Sequence, residues 1–489
     1  MPGTSRPAWV RDAIFYQIFP DRFARSSRVP KLRGLEPWGA PPKGHGYQGG
    51  DLLGIVERLD WLSDLGVDAL YLNPIFQSGS NHRYHTFDYH AVDPMLGGNA
   101  ALDELLAAAH QRGMRVVLDG VFNHASRGFF PFHDVLENGA ASPYVDWFHI
   151  QRFPLRPYSK SRPAGYGAWW NLRALPKINT DHPEAREYLM QVGERWARAG
   201  IDGWRLDVPE EITTEGFWEE FRERMRAIRS DLYLVGEIWH DALDWIGDGS
   251  RFDGTMNYPF ASAAIAFAVG ERLDRTQQVD NPDYAVWPPT DGTGYRTRID
   301  DLLGRYPLEA TLSNLNLLDS HDTARLMTLA SRDVDSVVLT LVLLLSFPGA
   351  PCIYYGTEIG LEGGRDPDCR RAFPWEHEEQ WNRRLLETVG QLARLRRRHP
   401  ALRSGDYQSI WPTEGSEPSG AYACVRSAET ERLLVAINAG TATEALPIVG
   451  GDGADARVLW AWGAAELDRV GHEARLRMKP RSAALCSAC

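Results

Sequence analysis

Four short segments carry acids where a buried strand has no use for charge. They read Asp119-Gly-Val-Phe-Asn-His124, Arg205-Leu-Asp207, Gly236-Glu237-Ile-Trp239 and Ser320-His-Asp322. One strand-end acid is often a salt-bridge partner, but four on one rim are hard to explain as structure. Several carboxylates in one cleft suit glycosidic cleavage: an acid protonates the leaving oxygen while a carboxylate attacks the anomeric carbon or activates water. Arg205 and Asp207 stand two positions apart, hence on one strand face, and the cation is expected to keep Asp207 ionised as a nucleophile. Glu237 follows Leu-Val-Gly and precedes Ile-Trp. That apolar surround, with anions nearby, is expected to keep it protonated, as a general acid must be.

These acids meet only if a scaffold gathers the strand ends. β-rich runs at residues 14–19, 67–73, 115–120, 203–207, 232–237, 254–257, 311–318 and 351–355 alternate with amphipathic stretches at 100–112, 182–199, 214–228 and 381–398. The alternation predicts an α/β fold, a (β/α)8 TIM barrel, whose strands converge on one mouth at their C-terminal ends. Residues 123–178 lose the period and are rich in Pro, Gly and aromatics, so a small subdomain inserted after strand three is expected. Beyond residue 399 short strands between Gly-rich turns predict a C-terminal antiparallel β-sandwich. The expected division is barrel 1–122, inserted subdomain 123–178, barrel 179–399 and sandwich 400–489.

Composition limits the partners. In 489 residues, 53 Lys and Arg face 65 Asp and Glu, a net charge of -12 that argues against nucleic acid. The 17 Trp and 18 Tyr fill a core or offer flat faces to sugar rings, and only position decides which. The start lacks the apolar run of a signal peptide, and the longest apolar stretch, 337–347, is too short to cross a bilayer. A buried helix, no membrane and a cytoplasmic location are expected. The five cysteines are scattered and odd in number, which suits reduced thiols; the Cys486-Ser-Ala-Cys489 spacing reads as tail composition.

In chain order DGVFNH, GWRLDV, GEIW and SHD resemble the four conserved segments of the α-amylase superfamily of retaining glycoside hydrolases, over residue 14 to about residue 375. The resemblance implies Asp207 as nucleophile, Glu237 as general acid/base and Asp322 as the carboxylate that stabilises the oxocarbenium-like transition state. It implies Arg205, His124 and His321 as ligands or orienters of the reacting sugar, and adds Asp119 and Arg325 to the substrate-binding set. SNHRYHTFDY, residues 80–89, is similar to a segment of neopullulanases, cyclomaltodextrinases and maltogenic amylases, which implies a hydrogen bond from His82 and a stacking platform at Tyr84. LPKIN, residues 175–179, looks like an element of the same branch, and Trp239 matches its aromatic on the acceptor side.

Departures carry expectations too. The branch usually has an N-terminal β-domain ahead of the barrel, whereas this barrel starts near residue 12, so a monomer or weak homo-oligomer with an open cleft is expected. A calcium loop of relatives corresponds to ARSSRVPKLRG, where Arg25, Arg28 and Lys31 supply cations beside the retained Gly49 and Asp51. Calcium wants several oxygen ligands, so no cofactor is expected. The expected activity is hydrolysis of α-1,4 bonds in maltodextrins, with cyclodextrins or pullulan also accepted and transglycosylation possible. An α-glucosidase or glucanotransferase on short malto-oligosaccharides is the alternative. A silent carbohydrate-binding homologue is disfavoured, because all three acids are present. Pro209 is expected to push Val208 into extended geometry and end the strand, leaving Glu210 either facing the acceptor sugars or, the favoured reading, in solvent.

Overall fold

Eight short strands form one parallel sheet: Phe15–Ile18, Ala69–Leu72, Arg115–Gly120, Gly203–Leu206, Tyr233–Gly236, Gly254–Thr255, Leu315–Asn316 and Ala350–Tyr354. Each pairs in parallel with its sequence neighbours, the first also pairs with the eighth, and a parallel bridge between Met256 and Leu315 joins the sixth to the seventh. The sheet therefore closes on itself as the predicted barrel. This computed structural model describes residues 5–159, 161–278, 288–413, 415, 417–429, 431–448, 456–470 and 473–487.

The strands are apolar runs buried on both faces, as parallel strands under a helical layer must be. Helices Gly98–Gln111, Pro183–Ala199, Phe217–Ile228 and Arg383–Arg398 supply part of that layer. Their ends follow local chemistry. Pro183 opens one at its first turn, Gly200 closes it in the left-handed region, and the Asn382 side chain accepts the Leu385 N–H to cap another. The apolar stretch becomes the helix Val334–Ser346, buried from Ser336 onward, and among the described residues no helix is long and apolar enough to cross a membrane.

The strand predicted at 311–318 forms over only a quarter of its length. Residues 311–313 belong to the helix Leu308–Ser313, and only Leu315 and Asn316 enter the sheet. Pro307 sets the helix start, and the Asn314 side chain then accepts the Thr255 N–H, so an amide does part of the pairing between strands six and seven. The neighbouring Gly254 is required by that approach: a Cβ there would meet the Ser313 carbonyl oxygen at 2.1 Å.

Residues 123–178 hold the helix Phe130–Asn138, several short turns and isolated antiparallel bridges, including His124 with Lys177 and Ala168 with Pro176. At the C-terminus a five-stranded sheet faces a three-stranded one. Alternate residues split the strands: Ala423, Val425, Leu434 and Ala436 pack with Leu446, Leu476 and Met478 between the sheets, while Tyr422, Cys424, Leu433 and Val435 join the barrel core.

Candidate active site

Strands three, four and five stand side by side, with Asp119 opposite Arg205 and Leu206 opposite Gly236 in register. That register puts Asp119, Arg205, Asp207 and Glu237 in one cluster at the C-terminal mouth. The fully buried Arg205 guanidinium reaches Asp119 through Nη1 at 2.9 Å, Asp207 through Nη1 at 2.9 Å and Glu237 through Nη2 at 2.6 Å. Asp119 also accepts the Tyr71 and Tyr84 hydroxyls at 2.8 and 3.0 Å.

One cation is shared by three acids: Arg205 favours the charged form of Asp207, as its spacing suggests, but burial and the other two acids work against it. Burial drives the Asp207 pKa well above the carboxylate range; Arg205 opposes this, while Glu237 and Asp119 reinforce it. Burial also raises Glu237, to about 7, with Arg205 and the Val208 N–H opposing and Asp322 adding. Burial and crowding thus raise both carboxyls, while Arg205 opposes the rise in each.

Val208 corrects a second expectation. It is left-handed, with φ 37° and ψ 53°, and Pro209 opens a tight turn, Pro209–Glu211. A β-branched residue before proline pays to adopt that shape. In return its N–H points to Glu237 Oε2 at 3.2 Å, tying the loop after one acid to the other acid.

Asp322 faces this cluster from strand seven with 30% of its side chain exposed. Burial raises its pKa, and Arg370 and Arg205 oppose the rise. Arg370 Nη2 lies 3.3 Å from Asp322, and its Nε donates to the His321 carbonyl. His321 is neutral, driven well below its ordinary pKa by burial and by Arg370 and Arg205. The Gln17 and Asn73 amides lie 2.9 and 3.1 Å from Nδ1, which makes Nδ1 the acceptor and leaves the proton on Nε2. Nε2 meets the Tyr84 hydroxyl at 2.6 Å and Asp322 at 3.1 Å.

His82 Nδ1 accepts the Tyr84 N–H at 3.2 Å, so this ring too is neutral, its pKa driven well down by burial. His124 is fully buried and lowered to about 3 by burial, and the Asn123 side-chain amide lies 3.2 Å from its Nδ1. Trp239 stacks on buried Tyr258 at 4.1 Å and 9°. Arg325 lies apart from the cluster. Its Nη1 donates to the Tyr355 carbonyl at 2.6 Å, and its guanidinium rests on Tyr354 and Tyr355, so it supports the wall and does not meet the acids.

Tyr71, Gln17, Asn73, Arg370 and Trp169 complete the site without having been expected in it. Gln17 and Asn73 sit at or just past the ends of strands one and two, where every polar side chain is a candidate; that signal was available in the sequence. Arg370 lies in an irregular loop that shows no period.

A closed parallel barrel whose mouth gathers acids around a buried guanidinium defines a class, barrel enzymes that cleave glycosidic bonds with paired carboxylates. Residues 17–405 match the model of the alpha amylase catalytic domain. The chain belongs to the α-amylase family of glycoside hydrolases. It is 45% identical over 402 residues to a cyclomaltodextrinase of Geobacillus thermopakistaniensis, covering 82% of this chain and 64% of that one. It is 39% identical over 398 residues to an intracellular maltogenic amylase of Bacillus subtilis, covering 81% of this chain and 63% of that one. The chain thus spans just under two thirds of both. A solved debranching enzyme of Nostoc punctiforme matches over 99% of each chain, with 50% identity and a TM-score of 0.88.

Proposed function

We propose that this protein is a retaining α-glucan hydrolase that cleaves α-1,4 bonds of maltodextrins, and of cyclodextrins and pullulan. The observation that carries the reading is the grip of one buried guanidinium on Asp119, Asp207 and Glu237, with Asp322 facing them. Acids held by adjacent nitrogens of one planar fork stand close together. That favours the separation of about 5–5.5 Å used in retention over the roughly 6.5–9.5 Å used in inversion.

In the productive state Glu237 carries its proton, and the charge of Arg205 favours the ionised form of Asp207. Asp207 attacks the anomeric carbon, the glycosidic C–O bond breaks, and Glu237 gives its proton to the leaving oxygen. Glu237 then takes a proton from water, whose oxygen attacks the same carbon and releases Asp207. Asp322 stabilises the positive charge that develops on the sugar. The neutral rings of His82, His124 and His321 present nitrogen to sugar hydroxyls. Trp239, backed by Tyr258, serves the acceptor side, where retained sugars permit transfer. Arg325 acts from behind as a support.

The end-to-end likeness to a debranching enzyme favours a second reading, cleavage of α-1,6 bonds. Pullulan separates the two: panose reports α-1,4 cleavage and maltotriose reports α-1,6 cleavage. Chromatography of products from maltohexaose, β-cyclodextrin and pullulan tests the main reading, and absence of cleavage from all three overturns it.

No metal takes part in this reading. The Lys31 ammonium lies 2.7 Å from Asp51 and 3.2 Å from the Met95 carbonyl oxygen, while Ser26 and Gly54 N–H groups occupy the same carboxylate. A tethered cation thus stands where calcium would need oxygen ligands. Excess chelator leaves the Tm unchanged on this view, and a large fall refutes it. The domain division 1–122, 123–178, 179–399 and 400–489, a monomer or weak homo-oligomer and a cytoplasmic setting complete the proposal. The buried free thiols Cys352, Cys369, Cys424 and Cys486 suit a reducing compartment; Cys489 lies outside the described residues.

A further inference from the structure

A stack of three rings runs from the floor of the site to the surface. The ring of His124, fully buried, lies 5.0 Å from that of Trp169 at 12°, and Trp169 lies 4.6 Å from Trp170 at 11°. Trp170 is 70% exposed. A lone exposed aromatic needs no explanation. This one does, because the backbone is bent to present it: Trp170 and Asn171 are both left-handed, with φ of 49° and 59°. Two consecutive non-glycine residues adopt that region only when the surroundings impose it. Here the N–H groups of Trp169, Asn171 and Leu172 bond to the carbonyls of Leu175, Ala168 and Trp169, and the turn is fixed.

We propose that Trp170 is a binding platform for an outlying glucose unit of an α-1,4-linked chain, on the His124 side of the reacting sugar. The inference rests on the glucan reading above and adds a subsite to it. A pyranose presents a flat array of C–H groups to an aromatic face, and its rim of hydroxyls needs polar neighbours. Trp170 offers the face, and the exposed Asn171 beside it offers the amide. Trp169 lies between Trp170 and His124, so a glucan whose reacting sugar touches His124 meets Trp170 farther out along the same stack. The alternative occupant, a protein surface, fits poorly. A stable interface covers about 800 Å² per partner, whereas the apolar ground beside Trp170 is the half-exposed Leu172 and the polar Asn171.

The test uses the full chain with Trp170→Ala and Trp170→Phe. The ratio of kcat/KM for maltohexaose to that for an aryl α-glucoside falls about tenfold in Trp170→Ala, the worth of one good aromatic contact, and returns most of the way in Trp170→Phe. In an Asp207→Asn background, maltohexaose changes the tryptophan fluorescence, and Trp170→Ala removes that change. An unaltered ratio together with an unaltered fluorescence response overturns the proposal while leaving the hydrolase reading intact. If wild-type protein cleaves no glucan, the hydrolase reading fails, and the fluorescence titration still decides whether the platform binds sugar. A sedimentation shift from dimer to monomer on Trp170→Ala, with sugar binding unchanged, assigns the ring to self-association and also overturns the proposal.

Discussion

The two ends of the barrel use the same residue types in opposite proportion. At the N-terminal ends of the strands, Asp202 precedes strand four and Asp253 precedes strand six, each buried and each gripped by two guanidiniums, with the more exposed Asp231 sharing both of those on Asp202. Asp202 meets Arg115, Arg229 and His110, and Asp253 meets Arg222 and Arg226. Backbone N–H groups of Val116 and Leu234 complete them. Burial alone would raise Asp202, but these bonds outweigh it and leave its pKa lowered. At the mouth, Asp119, Asp207 and Glu237 share Arg205, and all three are raised. Cations in excess make a structural clamp, while carboxylates in excess keep protons available for chemistry. The sign of the local imbalance separates the end that holds the barrel from the end that reacts.

The largest test of this contrast is Asp207→Asn. Loss of the nucleophile should lower kcat on maltohexaose by about 10⁴-fold or more, with the Tm held or raised because a crowded carboxylate is gone. A variant with ordinary turnover would place the chemistry elsewhere. Glu237→Gln should cost about 10²–10⁴-fold on glucans. The loss should shrink on an aryl glucoside whose leaving group needs no proton, which distinguishes a general acid from a merely buried acid. In the wild type, kcat/KM should decline as pH rises past about 7, where Glu237 loses its proton.

At the other end, Asp253→Asn removes the carboxylate that Arg222 and Arg226 share, and breaking such a buried pair costs about 3–5 kcal/mol. Denaturant melts should show that loss while turnover per folded molecule stays at the wild-type level. Equal effects on turnover and stability would erase the distinction between the two ends. The pH dependence of stability sharpens it further. Folding raises Glu237 from 4.5 to about 7, so the folded state binds the extra proton and this group contributes stability that falls as pH rises from about 4.5 through 7. Glu237→Gln should therefore gain more Tm, relative to wild type, at pH 8 than at pH 5.

Much of this was legible before any coordinates. The barrel followed from alternating apolar runs, because strands buried on both faces and helices with one apolar face leave distinct periods. Asp119, Asp207, Glu237 and Asp322 followed from charge at strand ends. What the period could not show were positions set by tertiary contact. Residues 311–313 alternate like a strand yet join a helix; Val208 leaves the extended region to reach Glu237. How many acids share Arg205 is set by three neighbouring strands, which spacing along one strand does not count. Arg325 follows the SHD segment closely in sequence, yet its buried guanidinium rests on Tyr354 and Tyr355.

The smallest expected effect concerns Glu210. It was expected in solvent, but it pairs with His240 at 3.1 Å, and the two stand three residues beyond Asp207 and Glu237 respectively. The pair thus links the loops that leave the two reacting strands, next to Trp239. Both side chains are substantially exposed, at 34% and 47%, so screening keeps its worth to about 0–1 kcal/mol. Its surroundings are already balanced: Glu211 is paired with Lys177, and Asp241 with Arg305. Glu210→Asn should leave the Tm and aryl glucoside turnover close to wild type and change the ratio of transfer to hydrolysis on maltotriose by no more than about twofold. A large change in that ratio would mean that Glu210 touches the acceptor sugar directly, and the reactive end of the barrel would then extend three residues past its carboxylates.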